Sequence, residues 1–208
     1  GINYRMHPDN LPVLRAAGID ACALANNHVL DWGRAGLDET LRSLGRAGIA
    51  CAGAGGTAAE AAAPVALPLA GGGRLLLLAF ASGTSGVPRH WAAGEAKCGL
   101  SLLPESPGVA VAAARGALDA AGVAPGDRVV VSIHWGGNWG QSVPAWQRDL
   151  ARRLIEQAGA DIVHGHSAHH PKAVELHAGR LILYGCGDLL NDYEGIAGHE
   201  AHRPALGL

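Results

Sequence analysis

The sequence predicts an α/β fold in which helices cover a sheet, and three observations carry that reading. Apolar strand runs alternate with helical runs along the chain. The runs "RLLLLAFA" and "DRVVVSIHWG" are apolar on successive residues, as strands buried on both faces are. No internal repeat or low-complexity linker divides the 208 residues, a length at which one domain buries a sizeable core.

Each element follows in order. "PDNLPVLRAAG" sets Leu11, Leu14 and Ala17 at helical spacing before a stop at Gly18. "IDACALA" reads as a buried strand. In "WGRAGLDETLRSLGRAG", Leu37, Leu41 and Leu44 fall at i, i+4, i+7 with the charges elsewhere, which predicts an amphipathic helix ending at Gly48. "IACAG" predicts a short strand, residues 57–63 a small helix, and "PVALPLAGGGRLLLLAFA" two strands joined at Gly71, Gly72 and Gly73. Residues 82–107 lose all periodicity, and a loop of that length in a compact domain is commonly functional or mobile. "GVAVAAARGALDAAG" restores a helix, and "DRVVVSIHWG" is a strand ending in His134. "PAWQRDLARRLIEQAG" predicts a helix with Pro144 in its first turn. "ADIVHG" is a strand, and "AVELHAGRLILYGCG" is a strand, a tight turn and a strand.

Composition narrows the function. The net charge is −2, and the 16 Lys and Arg form no basic run, so nothing offers nucleic acid an electrostatic footprint. The four cysteines stand far apart with no C-x-x-C pair, and they read as small buried residues. "RLLLLAFA" is far short of the ~20 residues a membrane span needs, and no leader of signal-peptide composition opens the chain. Whether the protein meets a membrane, its oligomeric state and its compartment are all left open. The compartment is cytoplasmic if whatever precedes this chain carries neither signal nor anchor.

In open α/β sheets ligands sit beyond the carboxyl ends of the strands, so polar residues that directly follow apolar strands mark the place to look. Three strands here end in such residues: "ACALA" runs into Asn26, Asn27 and His28, "VVVSI" into His134, and "ADIV" into His164, Gly165 and His166, with His169 close behind. A single imidazole at a strand end is more often a structural hydrogen-bonding group than a ligand. Three such ends on one rim would converge, and imidazole and amide oxygen suit Zn, Mn, Fe or Ni. Neither a G-x-S-x-G elbow nor a phosphate loop with its Lys and Ser/Thr is present, which sets aside serine-nucleophile and nucleoside-triphosphate chemistry.

Three stretches, "LANNHVLDWGRAGLDETLRSLGRAGI", "VVVSIHWGGNW" and "GADIVHGHSAHHPKAVELHAGRLILYGCGD", resemble the CapA family, named for a capsule protein of poly-γ-glutamate synthesis, within the calcineurin-like metallophosphoesterase superfamily. The resemblance covers residues 3–195, and its motifs occur in the family's order. It implies a four-layer αββα sandwich over residues 1–208 as a single domain, with two divalent metal ions at the strand ends as in two-metal hydrolysis; Mn, Zn, Fe and Mg are not distinguished. Asn27, His134 and His166 would bind one metal and His169 the other, while His28 would stabilise or protonate the leaving oxygen. The family's G-H-x-x-H form selects His169 over His170, which with His164 becomes an outer or solvated residue. The superfamily's opening motifs, with their bridging aspartate, would precede Asn3, so the resemblance also implies a domain lacking its first strand and incomplete at both ends.

Asp31 and Asp188 each read equally as a carboxylate orienting a histidine or as something plainer, in the case of Asp31 a charge favouring the following helix. Trp146 reads as core; Trp32, Trp135 and Trp139 would either wall a substrate pocket or pack. Two functions from different classes follow from the resemblance. One is a metal-dependent hydrolase of phosphoesters acting on a small or polymeric anionic substrate. The other is an accessory protein in the synthesis or export of a capsular polymer such as poly-γ-glutamate, which binds the polymer without hydrolysing phosphate.

Overall fold

The computed structural model describes residues 2–189. In chain order, a 3-10 turn at Pro8–Asn10 leads into α1 (Pro12–Ala16), β1 (Ala21–Ala23), α2 (Gly33–Arg46), β2 (Ala50–Ala52), β3 (Ala54–Gly55) and α3 (Ala58–Ala62). Then follow β4 (Val65–Pro68), β5 (Arg74–Ala81), β6 (Gly99–Leu100), α4 (Pro107–Ala120) and β7 (Arg128–His134). The last elements are α5 (Ala145–Ala158), β8 (Ile162–His166), β9 (Val174–His177) and β10 (Arg180–Leu183).

Six strands form one sheet in the order β4-β5-β7-β8-β10-β9. Its four central strands are parallel, and each edge is an antiparallel strand, β4 on β5 and β9 on β10. β1 and β2 make a separate parallel pair, β3 and β6 an antiparallel one.

Side-chain alternation builds the layers. Leu76, Leu78 and Phe80 of β5 and Val129, Val131 and Ile133 of β7 point to the face covered by α4 and α5, where they meet Val111, Leu118, Leu150 and Leu154. Leu76, Leu78, Leu118, Leu150 and Leu154 are each almost completely buried, and burying a leucine contributes about 1.5–3 kcal/mol. The opposite face of β5 presents Leu77, Ala79 and Ala81, which pack with Ala23, Ala25 and Ala52 of the β1–β2 layer. These small side chains let the two sheets approach closely. Leu24, of opposite parity to Ala23, packs with Leu30, Leu37 and Leu41, so α2 closes the far side. The arrangement is the α/β sandwich read from the sequence, with its second sheet drawn, among the described residues, from the short first strands.

The end of α2 brings β2 back beside β1. The Gly48 N–H bonds the Gly45 carbonyl at 3.0 Å and the Ile49 N–H bonds the Leu44 carbonyl at 2.9 Å, a pairing that requires a left-handed residue between them. Gly48 supplies it, with φ of 71°. Two local readings shift. Pro144 caps α5 from just outside rather than sitting in its first turn. Residues 82–107 are not featureless: they hold 3-10 turns at Gly83–Ser85 and Arg89–Trp91, and Ser101 and Leu103 bond the backbone of Gly53 and Ala81. The sequence-based expectation that the domain ends incompletely at the C-terminus falls on residues outside those described.

Two aspartates pin the amino ends of the central strands. Asp127 accepts from the backbone N–H of Arg74 at 2.8 Å and of Ala124 at 3.0 Å, and its side chain pairs with the Arg74 guanidinium at 2.6 Å. Asp161 accepts from the Val129 N–H at 2.8 Å and pairs with the Arg180 guanidinium. The first locks β5 to β7, the second β7 to β8 and β10. The Arg74 guanidinium, helped by the Ala124 N–H, pushes the Asp127 carboxyl from the usual 3.8 down to about 2. Its folded value lies below its unfolded one, so its stabilisation is complete above pH 3.8 and is lost as pH falls toward 2. Asp127→Asn is therefore expected to lower the urea midpoint at pH 7, with the gap from the parent protein closing at acid pH; equal midpoints at pH 7 would contradict this role.

Candidate functional site

The parallel register of β7 on β8 sets His134 opposite His166, each the last residue of its strand. Their rings meet, with Nδ1 to Nδ1 at 3.0 Å and centroids 4.9 Å apart. On the face away from the pair, Gly165 leaves room for Trp135: a Cβ there would lie 2.4 Å from the Trp135 Nε1 and 2.7 Å from the Tyr184 carbonyl oxygen. After His166 the chain turns through Ser167, whose φ of 113° is rare for a non-glycine residue. The Ser167 hydroxyl donates to the Gly136 carbonyl at 3.0 Å, and the His169 N–H to the Asn138 carbonyl at 3.1 Å. These bonds tie the loop after β8 to the loop after β7.

From the other layer comes the turn after β1. Asn26 folds over it, its side-chain oxygen accepting from the His28 N–H at 2.8 Å, as asparagine does in turns. One turn on, the Asp31 carboxylate takes the His28 Nδ1 at 2.8 Å. A carboxylate only accepts, so the proton sits on Nδ1 and Nε2 is left to give or take one. Asp188, past β10, holds the His169 Nδ1 in the same way at 2.9 Å. Of the alternatives open for these two carboxylates, the geometry is that of histidine partners.

A cavity of about 310 Å³ gathers Asn27, His28, His134, His166 and His169 on its walls, together with Asp188, Tyr4, Asn26 and Asn138. All five site residues named from the sequence thus line one pocket. His164 and His170 stay outside it, and neither is solvated: His164 bonds the Ser132 hydroxyl at 2.9 Å and stacks on His166, while His170 is buried within reach of Gln141. The tryptophans divide. Trp135 lies in the main core and donates to the Tyr184 carbonyl at 3.2 Å, Trp146 packs against it, and Trp139 stacks on His169. Trp32 is exposed. Tyr4 and Asn138 were not singled out from the sequence: Tyr4 follows no strand end, and Asn138, though inside "VVVSIHWGGNW", stands four residues beyond His134.

Burial governs the charge of the pair. It pushes His134 down to about 4, helped by the charges of His28 and His169, and His166 down to about 3, helped by His134 and His164. Both rings are neutral near pH 7, the state in which imidazole is a ligand. The Nε2 atoms of both are buried without a hydrogen-bond partner, which costs free energy unless something else engages them. Among the described residues, no three His, Cys, Asp or Glu side chains converge closely enough to form a ligand group by themselves.

Two outcomes follow. Both histidines titrate below the unfolded value of 6.5, so their stabilising effect is full above that pH and declines as pH drops through 4 to 3. NMR of the metal-free chain should find both rings neutral at pH 5.5, and the urea midpoint should fall between pH 6.5 and 4; a ring titrating near 6.5 would refute the burial argument. Separately, Gly165→Ala should destabilise the fold by about 1–3 kcal/mol through overpacking, read as a lower thermal midpoint.

Comparison with known proteins adds the lineage. The family model for the bacterial capsule synthesis protein PGA_cap matches residues 1–193. A Mycobacterium tuberculosis protein named "probable polyglutamine synthesis accessory protein" is 45% identical over 205 residues, which is 99% of this chain and 54% of that protein. The PGA biosynthesis protein CapA of Bacillus subtilis is 29% identical over 191 residues, 92% of this chain and 47% of its own length. The capsule biosynthesis protein CapA of Bacillus anthracis is 26% identical over 191 residues, 92% of this chain and 44% of its own. The chain spans about half the length of the curated relatives it matches. A match over nearly all its residues shows the family: the chain belongs to the bacterial capsule synthesis protein PGA_cap family.

Proposed function

We propose that this domain binds divalent cations at the pocket and hydrolyses phosphoesters there. One observation carries the reading: two buried, neutral imidazoles meet at adjoining strand ends, with Nε2 atoms that nothing in the described protein engages. Asn27 in the same pocket offers an amide oxygen. His169, with its proton drawn to Nδ1 by Asp188, presents a lone pair on Nε2, the pattern by which carboxylates orient metal-binding histidines. Asn27, His134, His166 and His169 would hold the cations. When bound, they would supply charge neutralisation for a phosphoryl group and a nucleophilic hydroxide at neutral pH.

The remaining chemistry belongs to the chain itself. Asp31 holds the His28 ring through Nδ1, which leaves Nε2 as the atom that would deliver a proton to a departing alkoxide. His134 is buried on one side of the cavity, and His28 is more exposed, so a substrate would enter from the side of His28.

The test is calorimetric titration with Mn and Zn, alongside release of nitrophenol from bis(p-nitrophenyl) phosphate. His134→Ala and His166→Ala should each abolish cation binding and turnover. Asp31→Asn and Asp188→Asn should lower turnover by roughly 10- to 100-fold, as lost outer partners do. Cation binding and turnover that ignore His134 and His166 would sink the reading.

A second reading has its own support in the printed names of the relatives, which speak of polyglutamine or PGA synthesis and capsule biosynthesis. In it the pocket serves capsular polymer assembly by binding an anionic chain. Saturable binding of poly-γ-glutamate that competes with inorganic phosphate, with no nitrophenol release under any cation, would favour it.

A further inference from the structure

Residues 2–7 form a strap without regular secondary structure that reaches the pocket through Tyr4. It is tied down twice. The Tyr4 N–H donates to the Asp31 Oδ2 at 2.9 Å, the same oxygen that takes the His28 Nδ1 at 2.8 Å. The Trp32 Nε1 donates to the Tyr4 carbonyl at 2.9 Å, and the Arg5 guanidinium lies over the Trp32 ring, 5.2 Å from its centroid. Held at both its backbone groups, Tyr4 sets its ring edge-on against His28, with centroids 4.5 Å apart at 82°, and lines the pocket.

We propose that Tyr4 is a positioning residue for His28. Asp31 fixes one atom of the imidazole, which leaves the ring able to pivot about that bond and about the side chain's own torsions. The Tyr4 ring removes that freedom by packing against the imidazole in the edge-to-face geometry that aromatic pairs favour. The Asp31 oxygen, by accepting from the strap and from His28 together, makes the position of one depend on the position of the other. Exposed Trp32 thereby gains a role: its indole N–H clamps the strap rather than filling a core. The value of a fixed His28 rests on the hydrolytic reading above, whereas the mechanical coupling does not.

The experiment is built to separate the two. In the metal-free chain, 13C relaxation of the His28 ring, assigned by its loss in His28→Gln, should show order near the rigid limit. Tyr4→Ala should drop the order parameter below about 0.6, the range of flexible groups, while Tyr4→Phe should restore it, since the phenyl ring and the backbone bonds remain. If Tyr4→Ala does not fold, Trp32→Phe, which removes only the clamp on the Tyr4 carbonyl, should loosen His28 in the same way. A His28 ring equally ordered in Tyr4→Ala, or in Trp32→Phe where that variant stands in, overturns the proposal, as does a Tyr4→Phe variant as loose as Tyr4→Ala. Where the parent chain turns over phosphodiester, Tyr4→Ala should cut kcat by about 10- to 100-fold with KM little changed, the scale on which a displaced catalytic group costs rate. An unchanged kcat in a Tyr4→Ala variant whose His28 has loosened also counts against it. Absence of turnover in the parent would remove the hydrolytic reading and leave the relaxation result standing.

Discussion

Everything at the pocket depends on the register between β7 and β8. A parallel pair can slide by two residues without turning a side chain to the wrong face, so hydrophobic alternation alone does not fix which residues stand opposite. Asp161 does, by holding the Val129 N–H and the Arg180 guanidinium at the strands' amino ends. Asp127 repeats the device between β5 and β7. With the strands anchored at that end, their carboxyl ends arrive together, and His166 faces His134 rather than Ser132.

The pocket then combines two electrostatic environments. At its floor, burial holds His134 and His166 neutral. At its sides, Asp31 and Asp188 each hold an imidazole by Nδ1. The neutral floor and the two carboxylate-held flanks bring imidazole rings to the cavity from different directions.

Much of this could be read from the residues because the signals are local. The strand ends announce themselves where an apolar run breaks into Asn, His and Gly, and the leucine spacing of α2 marks its buried side. Alternation also decides Trp135, which follows site-facing His134 and so turns toward the core with Ile133. Other features depend on contacts between distant segments. Asp31 lies equally well placed for His28 and for the start of α2, and the choice between them appears only once Tyr4 docks on the same oxygen. β3 and β6, two residues each, carry no pattern to read; they exist because the excursion between β5 and α4 folds back on Gly53.

The pocket draws on the first residues described and on nearly the last, Tyr4 and Asp188, with the sheet between them built from long-range parallel pairs. Such contacts close large loops and form late, since the entropy of closing them must be met before they contribute. The main core itself waits for Ile182 and Tyr184, so a chain emerging from the ribosome would complete it only shortly before His169 acquires its aspartate. Partly made protein would therefore have Asp31 beside His28 while His169 still lacked Asp188, and the pairing of His169 would report that nearly all the described residues had been synthesised and folded.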